Sequence, residues 1–408
     1  MGKIRERRRR ERQKKRTIRW ATRIGTLLVV FVLAFLFVNN LELSPTGAGS
    51  SLSGEPSEST EVVSSKDVVQ IVMAGDVLMH QSVIESGKQE DGTYNFDHLF
   101  AHVAEFISKA DLAMINQETI LGGPQFGYTG YPSFNSPYEV ADAEVKAGFD
   151  VLLLGTNHAY DKGEQGILNC LNYLVAMHPS VGYVGINRSQ EEQDNTIYTY
   201  EVKGITIAIL NYTYGHNGVT LPEDKKYLVN EMKEDKIRSD IRKAEEIADF
   251  TIVCPHWGTE FRLQPDKKQE ELAQIFLEEG VDLVLGTHPH VIEPMKWLTH
   301  ENGHKMLVYY SIGNFVNGTT STGSGVANRM IGGIADILIG RNKDSGEVEI
   351  IKYGAVPVVC HVGQKTEYTV YHLEDYTEAL ASENWIVSQD SEFSKAYCES
   401  LIAQVWGE

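Results

Sequence analysis

Between Asp67 and His372, short apolar runs rich in β-branched residues alternate with longer amphipathic stretches, a rhythm that predicts strands interleaved with helices. Val68–Ala74, Leu112–Ile115, Val151–Leu154, Phe250–Cys254 and Val281–Leu285 read as strands. Helical spacing over His98–Lys109, Tyr138–Ala147, Gly163–Met177, Glu231–Ala248 and Lys267–Glu279 places helices between them. Thr196–Val202 and Ile205–Asn211, joined by Lys203-Gly204, predict a hairpin. Beyond this the rhythm changes. Met306–Tyr310, Gly332–Ile339, Val348–Val359 and Tyr368–His372 follow one another as β segments of antiparallel character. Alternation followed by consecutive strands predicts an α/β sandwich with mixed sheets over residues 67–373. Residues 374–408 predict a C-terminal helical appendage, and Gly318–Gly325, lacking any core-forming residue, a mobile loop. No internal repeat is visible.

The first 66 residues follow a different pattern. Residues 1–23 hold 12 Lys/Arg and two Glu, and Ile24–Val38 is apolar and uncharged. Extended to Leu43, this run spans roughly 30 Å as a helix, enough for a bilayer core. A cleavable signal peptide is the rival reading, but its small-x-small site, Thr46-Gly47-Ala48, lies far beyond the apolar run. A transmembrane signal anchor over 24–43 is expected, with the basic head 1–23 cytoplasmic and the remainder extracytoplasmic. Residues 44–66, rich in Ser, Gly, Pro, Thr and Glu, form an expected flexible linker.

Charge sharpens this division. Removing the head from totals of 37 basic and 56 acidic residues leaves 25 and 54, a net charge of −29. So acidic a body argues against nucleic acid as a partner, which needs a basic surface. Cys170, Cys254, Cys360 and Cys398 form no C-x-x-C, which excludes thioredoxin-like and zinc-finger sites; an extracytoplasmic setting permits disulfides without indicating a pairing. Cys254 ends an apolar run and reads as a buried small hydrophobe.

The chemistry collects where strands end. Successive strands run into Gly75-Asp76, Asn116-Gln117-Glu118, Gly155-Thr156-Asn157-His158 with Asp161 beyond, Pro255-His256 followed by Glu260, Gly286-Thr287-His288-Pro289-His290, and Ser311-Ile312-Gly313-Asn314. The carboxyl ends of strands form the ligand crevice of open α/β sheets, and six strands each delivering Asp, Glu, Asn or His there exceeds what folding requires. Taken singly, Asp76 would be a turn residue, Asn116 and Glu118 loop caps, and His256 a satisfied buried histidine. Taken together, Asp76, Glu118, Asn157, His256, His288 and His290 predict a metal site. His288-Pro289-His290 is the most specific element, since two imidazoles one residue apart can serve two neighbouring ions. The N/O donor set, free of sulfur, suits Mn, Zn or Fe. Two such ions about 4 Å apart would bind a phosphate-like anion and activate water. His80, four residues after Asp76, is the one further histidine with a suggestive position.

The series GDVLMH, INQETIL, TNHAYDKG, PHWGTEF, GTHPHVIEP and YSIGNFV, spread over about Val68 to Pro357, resembles the capsule-synthesis CapA/PgsA family. That family is similar to the calcineurin-like metallophosphoesterases, which implies an α/β/β/α sandwich and a dinuclear site of two divalent metal ions. It further implies a single-pass bacterial, Gram-positive-type membrane protein in capsule (poly-γ-glutamate) synthesis or export, acting as a metal-dependent hydrolase or as a non-catalytic accessory subunit. Its implied partners are capsule synthase membrane subunits and the anionic polymer. By motif, Glu118 would bridge, Asp76 and His290 would complete one ion's ligands, and Asn157, His256 and His288 the other's. His158 would face substrate as the proton donor, oriented by Asp161, while Glu260 would orient His256. His80 and Asn116 stay open as substitute ligands, and Ser311 and Asn314 either line the pocket or turn the chain. The phosphoesterase pattern has Asp-x-His at the first strand, whereas here Asp76-Val77-Leu78 lacks the histidine, and its bridging Asp is Glu118 here.

Overall fold

The computed structural model describes residues 68–364 and 366–407; the head, anchor and linker expected over 1–66 lie outside the described residues. Among the described residues no helix is long and apolar enough to cross a membrane.

Among the described residues fourteen strands make two sheets. The larger contains β1 (Val68–Val77), β2 (Leu112–Gln117), β3 (Val151–Leu153), β4 (Gly182–Val184), β11 (Asn314–Val316), β12 (Ile331–Arg341), β13 (Val348–Gly363) and β14 (Glu367–His372). Its order is β14-β13-β12-β1-β2-β3-β4, with β11 pairing β1 off that path. The smaller contains β5 (Tyr198–Val202), β6 (Ile205–Thr213), β7 (Phe250–His256), β8 (Leu283–Leu285), β9 (Met295–Thr299) and β10 (Lys305–Tyr309), in the order β5-β6-β7-β8-β10-β9. Strands β1 to β4 run parallel, as do β6, β7, β8 and β10, and antiparallel strands complete one edge of the larger sheet and both edges of the smaller.

Strand periodicity explains the layering, because alternate side chains point to opposite faces. On β1, Ile71 and Met73 join Ile207, Ile209, Ile252 and Cys254 of the facing sheet in one core between the sheets. Val72 and Ala74 point the other way, into a core with Ile167, Leu171 and Leu174 of helix Gly163–Met177. On the smaller sheet, Val253 and Val284 pack outward on Ile237 and Ile241 of helix Glu234–Ile247 and on Phe276 of helix Lys267–Glu279. The result is four layers, helix, sheet, sheet, helix. Leu373, Tyr376, Ala381, Ile386, Leu401 and Ile402 of the C-terminal helical segments belong to the same core as the larger sheet's helical face.

Two expectations change. His98–Lys109 is not one helix. It divides into a 3-10 turn, Asp97–Phe100, and a short α-helix, Ala104–Ile107, joined by i→i+3 bonds such as Val103 N–H to Phe100 C=O. Second, β4, β9 and β11 appear where no strand was expected. β4 and β11 are only three residues long and β9 is a largely solvated edge, so none shows a readable period. All four cysteines are free and buried.

Candidate metal centre

The parallel strands of both sheets bring their carboxyl ends to one edge, where the polar residues collect. At the end of β1, a Cβ on Gly75 would lie 1.9 Å from the Gly313 carbonyl oxygen, so only glycine lets the backbone before β11 close on β1. That contact seats Asp76 opposite Asn116 of β2 on one side and Asn314 of β11 on the other. Beyond β3, Thr156 Oγ1 donates to the Glu118 carbonyl at 2.6 Å, tying the Asn157-His158 turn to the strand beside it. In the smaller sheet, His256 pairs with Thr287 in an isolated parallel bridge. His288 and His290 both take left-handed backbone, with φ of 98° and 59° around Pro289. Non-glycine residues seldom adopt that region, and such strain gathers at functional sites. The His288 N–H donates to Asp76 Oδ2 at 3.2 Å, joining this turn to the other sheet.

Two buried groups of ligand-type atoms result, Asp76/Glu118/His290 and Glu118/His256/His288, each with its atoms within 4.8 Å of one another. Glu118 is common to both. Its Oε1 lies 3.6 Å from His256 Nε2 and 3.7 Å from His290 Nε2. Asn157 Oδ1 stands 3.0 Å from His256 Nε2. Both Glu118 carboxylate oxygens, His288 Nδ1 and Asn116 Oδ1 are buried without a hydrogen-bond partner. Buried polar groups are normally satisfied, and an unpaired one costs about 1–3 kcal/mol, more when charged. Four such atoms converging on one cluster therefore fit cation binding, and their nitrogen and oxygen types suit a borderline divalent ion.

The electrostatics tell the same story. Burial and the neighbouring Glu118 raise the Asp76 carboxyl above its ordinary range. Burial opposes ionisation of Glu118 too, but His290 and His256 outweigh it and hold the carboxylate ionised. Burial likewise disfavours charge on His290, yet Glu118 and Asp76 lift it to about 9. His288 is driven well below its ordinary value by burial, then by His256 and His290.

His158 stands outside both groups. Its Nδ1 is 2.8 Å from Asp161 Oδ2, and its ring meets Phe134 edge-on at 4.6 Å. Asp161 is anchored in turn by the Phe134 N–H at 2.7 Å. His80 also meets Phe134 edge-on, at 5.3 Å, and belongs to neither group. Burial, then the positive His290, lowers its pKa to about 4.

One expected role resolves differently, and the readings left open at Ser311, Asn314 and Asn116 narrow. His256 Nδ1 faces Thr287 Oγ1 at 3.0 Å, so Thr287 orients it and not Glu260. Glu260 is exposed and instead shares a group with His288 and His290. Ser311 turns the chain, donating to the Val291 carbonyl at 2.8 Å and accepting from the Gly313 N–H at 3.1 Å. Asn314 holds His290, with Oδ1 3.0 Å from its Nδ1 and Nδ2 donating to its carbonyl. Asn116 Nδ2 donates to Asp76 Oδ1 at 2.8 Å.

Residues beyond those expected complete the surroundings. After β6, Tyr214 lays its ring 4.6 Å from that of His288, and Asn217 bridges Asn157 at 3.1 Å and His158 at 3.3 Å. The strand-end rule could have found them, since they follow the hairpin's second strand as Asp76 follows β1. Phe261 and Arg329 carried no such signal.

Residues 70–319 match the family described as bacterial capsule synthesis protein PGA_cap. The chain is 28% identical over 254 residues to the capsule biosynthesis protein CapA of Bacillus anthracis, covering 60% of this chain and 59% of that protein. It is 27% identical over 274 residues to the PGA biosynthesis protein CapA of Bacillus subtilis strain 168, covering 62% and 64% respectively. The matched region thus spans about six tenths of these curated relatives. Among solved structures, a phosphatase from Mycoplasma pneumoniae aligns with a TM-score of 0.45 at 16% identity, over 72% of this chain and 94% of that one.

Proposed function

The chain belongs to the bacterial capsule synthesis protein family PGA_cap, and from that premise we propose that it serves the synthesis or export of an anionic capsule polymer through a dinuclear divalent-metal site. The observation that carries the reading is Glu118. It is a fully buried carboxylate with both oxygens unpartnered, shared between two imidazole-containing groups. Asp76, Glu118 and His290 would hold one ion, and Glu118, Asn157, His256 and His288 the other. When bound, two such ions supply Lewis-acid polarisation and a water of lowered pKa.

The chain's own residues do the rest. Thr287 and Asn314 fix the imidazoles of His256 and His290, the outer contacts that tune metal affinity. His158, with Nδ1 held by Asp161, is positioned to pass a proton to a leaving group. This dyad favours a hydrolase or transferase over a purely gripping subunit, since binding an anion between two ions needs no oriented imidazole beside them. The reading includes a membrane-anchored location, with the basic head cytoplasmic and the domain outside, alongside the synthase membrane subunits. Metal content of the full-length protein, followed by turnover of phosphoester and γ-glutamyl substrates, tests it. Two bound ions without turnover would leave the accessory role. No bound ion would overturn both.

A further inference from the structure

Beside the buried cluster lies a guanidinium that makes no ion pair within 4.0 Å among the described residues, its one acidic influence being the exposed Glu260. Arg329 sits on a single 3-10 turn, Val326–Met330, just after the 318–325 loop. It lies over the Phe261 ring, its guanidinium carbon 3.6 Å from the centroid. That ring is 6.0 Å from the ring of His290, and the Phe261 N–H donates to the Pro289 carbonyl at 2.7 Å. From the other direction, the Arg329 carbonyl accepts from Asn314 Nδ2 at 2.8 Å, the same amide whose Oδ1 faces His290. Two separate contacts therefore hold Arg329 one aromatic ring away from His290.

The donors of this guanidinium are under-used. Nη1 reaches the loop hydroxyls of Thr319 and Ser321 at 3.4 and 3.2 Å, and the buried Nε has no partner. Arg188, Arg238, Arg242 and Arg341, by contrast, each pair with a carboxylate. Desolvating a cation without pairing it is costly. Stacking on Phe261 offsets part of that cost and fixes the plane of the fork without consuming its donors. In a chain whose residues 24–408 carry a net charge of −29, a cation with unused donors beside the metal-type cluster, influenced by Glu260 but not paired with it, has the chemistry to recognise an anion.

We propose that Arg329, stacked on Phe261, forms a second subsite that binds an oxyanion of the substrate next to the group held at the metal centre. The inference rests on the metal reading for the neighbouring position. Within the anionic substrate class already proposed, it adds a second point of contact and identifies Arg329 as a specificity residue. Carboxylate and phosphate share the chemistry a guanidinium fork recognises.

The test is calorimetric titration of the full-length protein, with and without Mn²⁺, against inorganic phosphate, a γ-linked glutamate oligomer and tripolyphosphate. Arg329→Met should weaken one of the two polyanions by roughly tenfold or more beyond any effect on inorganic phosphate. Arg329→Lys should fall between, keeping charge but losing the fork. Loss confined to the glutamate oligomer would identify the second anion as a carboxylate, and loss confined to tripolyphosphate as a phosphate. Equal weakening of all three probes would overturn the subsite, as would no weakening, or a wild-type protein that binds polyanions no tighter than inorganic phosphate. Absence of bound metal in the wild type would refute the metal reading alone, because the Arg329 effect is then read on the ion-free protein. Melting temperatures of both variants guard against misfolding.

Discussion

Replacing Glu118 by Gln keeps the side chain's shape and removes the charge shared by both ligand groups. In the ion-free protein the main loss is the support Glu118 gives to protonated His290. The folded-state value of about 9 against an ordinary 6.5 means that this stabilisation is complete below pH 6.5 and disappears as pH rises through 9. At pH 7.5 about 1.5 units remain, roughly 2 kcal/mol at 1.36 kcal/mol per unit, and Asp76 supplies part of that. Relief of Glu118's own burial and of its repulsion of Asp76 offsets some of the remainder. Unfolding entropy scales at roughly 2 cal/mol/K per residue, so for a domain of this size 1 kcal/mol moves Tm by about 1.5 °C. The ion-free variant should therefore melt within about 3 °C of the wild type. Metal behaves differently. At an ion concentration of 100 times Kd each site adds about 2.7 kcal/mol, or about 4 °C. Wild-type protein should gain about 8 °C on saturation with Mn²⁺ or Zn²⁺ and lose it to chelator, while Glu118→Gln should gain little. Scanning calorimetry and elemental analysis of the full-length protein measure both quantities. A variant that keeps two ions and the full gain in Tm would refute the shared-carboxylate argument.

Other outcomes follow from the same structure. If the centre turns over substrate, His158→Ala should lower kcat about 10²–10⁴-fold with metal content unchanged, and Asp161→Asn should lower it less; steady-state kinetics beside elemental analysis decide, and lost metal would place His158 among the ligands. Gly75→Ala drives a methyl into the Gly313 carbonyl, so a loss of about 1–3 kcal/mol or more and weakened metal binding are expected in denaturant melts. Glu144 is buried with both oxygens unpartnered, and burial raises its pKa well above the carboxylate range. The native state therefore holds this proton more tightly than the unfolded chain, and stability falls as pH rises past the ordinary carboxylate range. Glu144→Gln should raise Tm at pH 8 more than at pH 5; an equal change at both would disprove the assignment.

The strand-end reading succeeds where the physics is local. A β-branched run followed by Gly-Asp or Thr-His-Pro-His shows both the strand and its exit, so the convergence of Asp76, Glu118, His256, His288 and His290 was legible without coordinates. It fails where tertiary packing decides. His98–Lys109 carries helical spacing, with Leu99, Phe100, Val103 and Ile107 all buried, yet a chain of 3-10 turns serves that burial as well. Arg329 follows a loop without periodicity, and nothing in its neighbourhood predicts that Phe261, far away in sequence, will carry it. Glu260 shows the converse. The family motif implied that it orients His256, but the parallel bridge between His256 and Thr287 had already supplied a partner.

The same geometry explains why neither sheet could hold the centre alone. Asp76, Asn116, Glu118 and Asn157 leave the larger sheet, while His256 and His288 leave the smaller one. The core between them, where Ile71 and Met73 face Ile209 and Ile252, sets the distance across the gap. The chain then crosses: after β10 of the smaller sheet, β11 pairs with β1 of the larger, opposing Asn314 to Asp76 while Asn314 grips His290. His290 is thus fixed by both sheets at once. Any ion held between Asp76, Glu118 and His290 would be bound to the packing of one sheet on the other, so metal affinity and inter-sheet stability must be thermodynamically linked. A cavity in that core, remote from every ligand, should weaken metal binding to the extent that it lets the sheets separate, and bound metal should in turn protect β1 and β7 from opening.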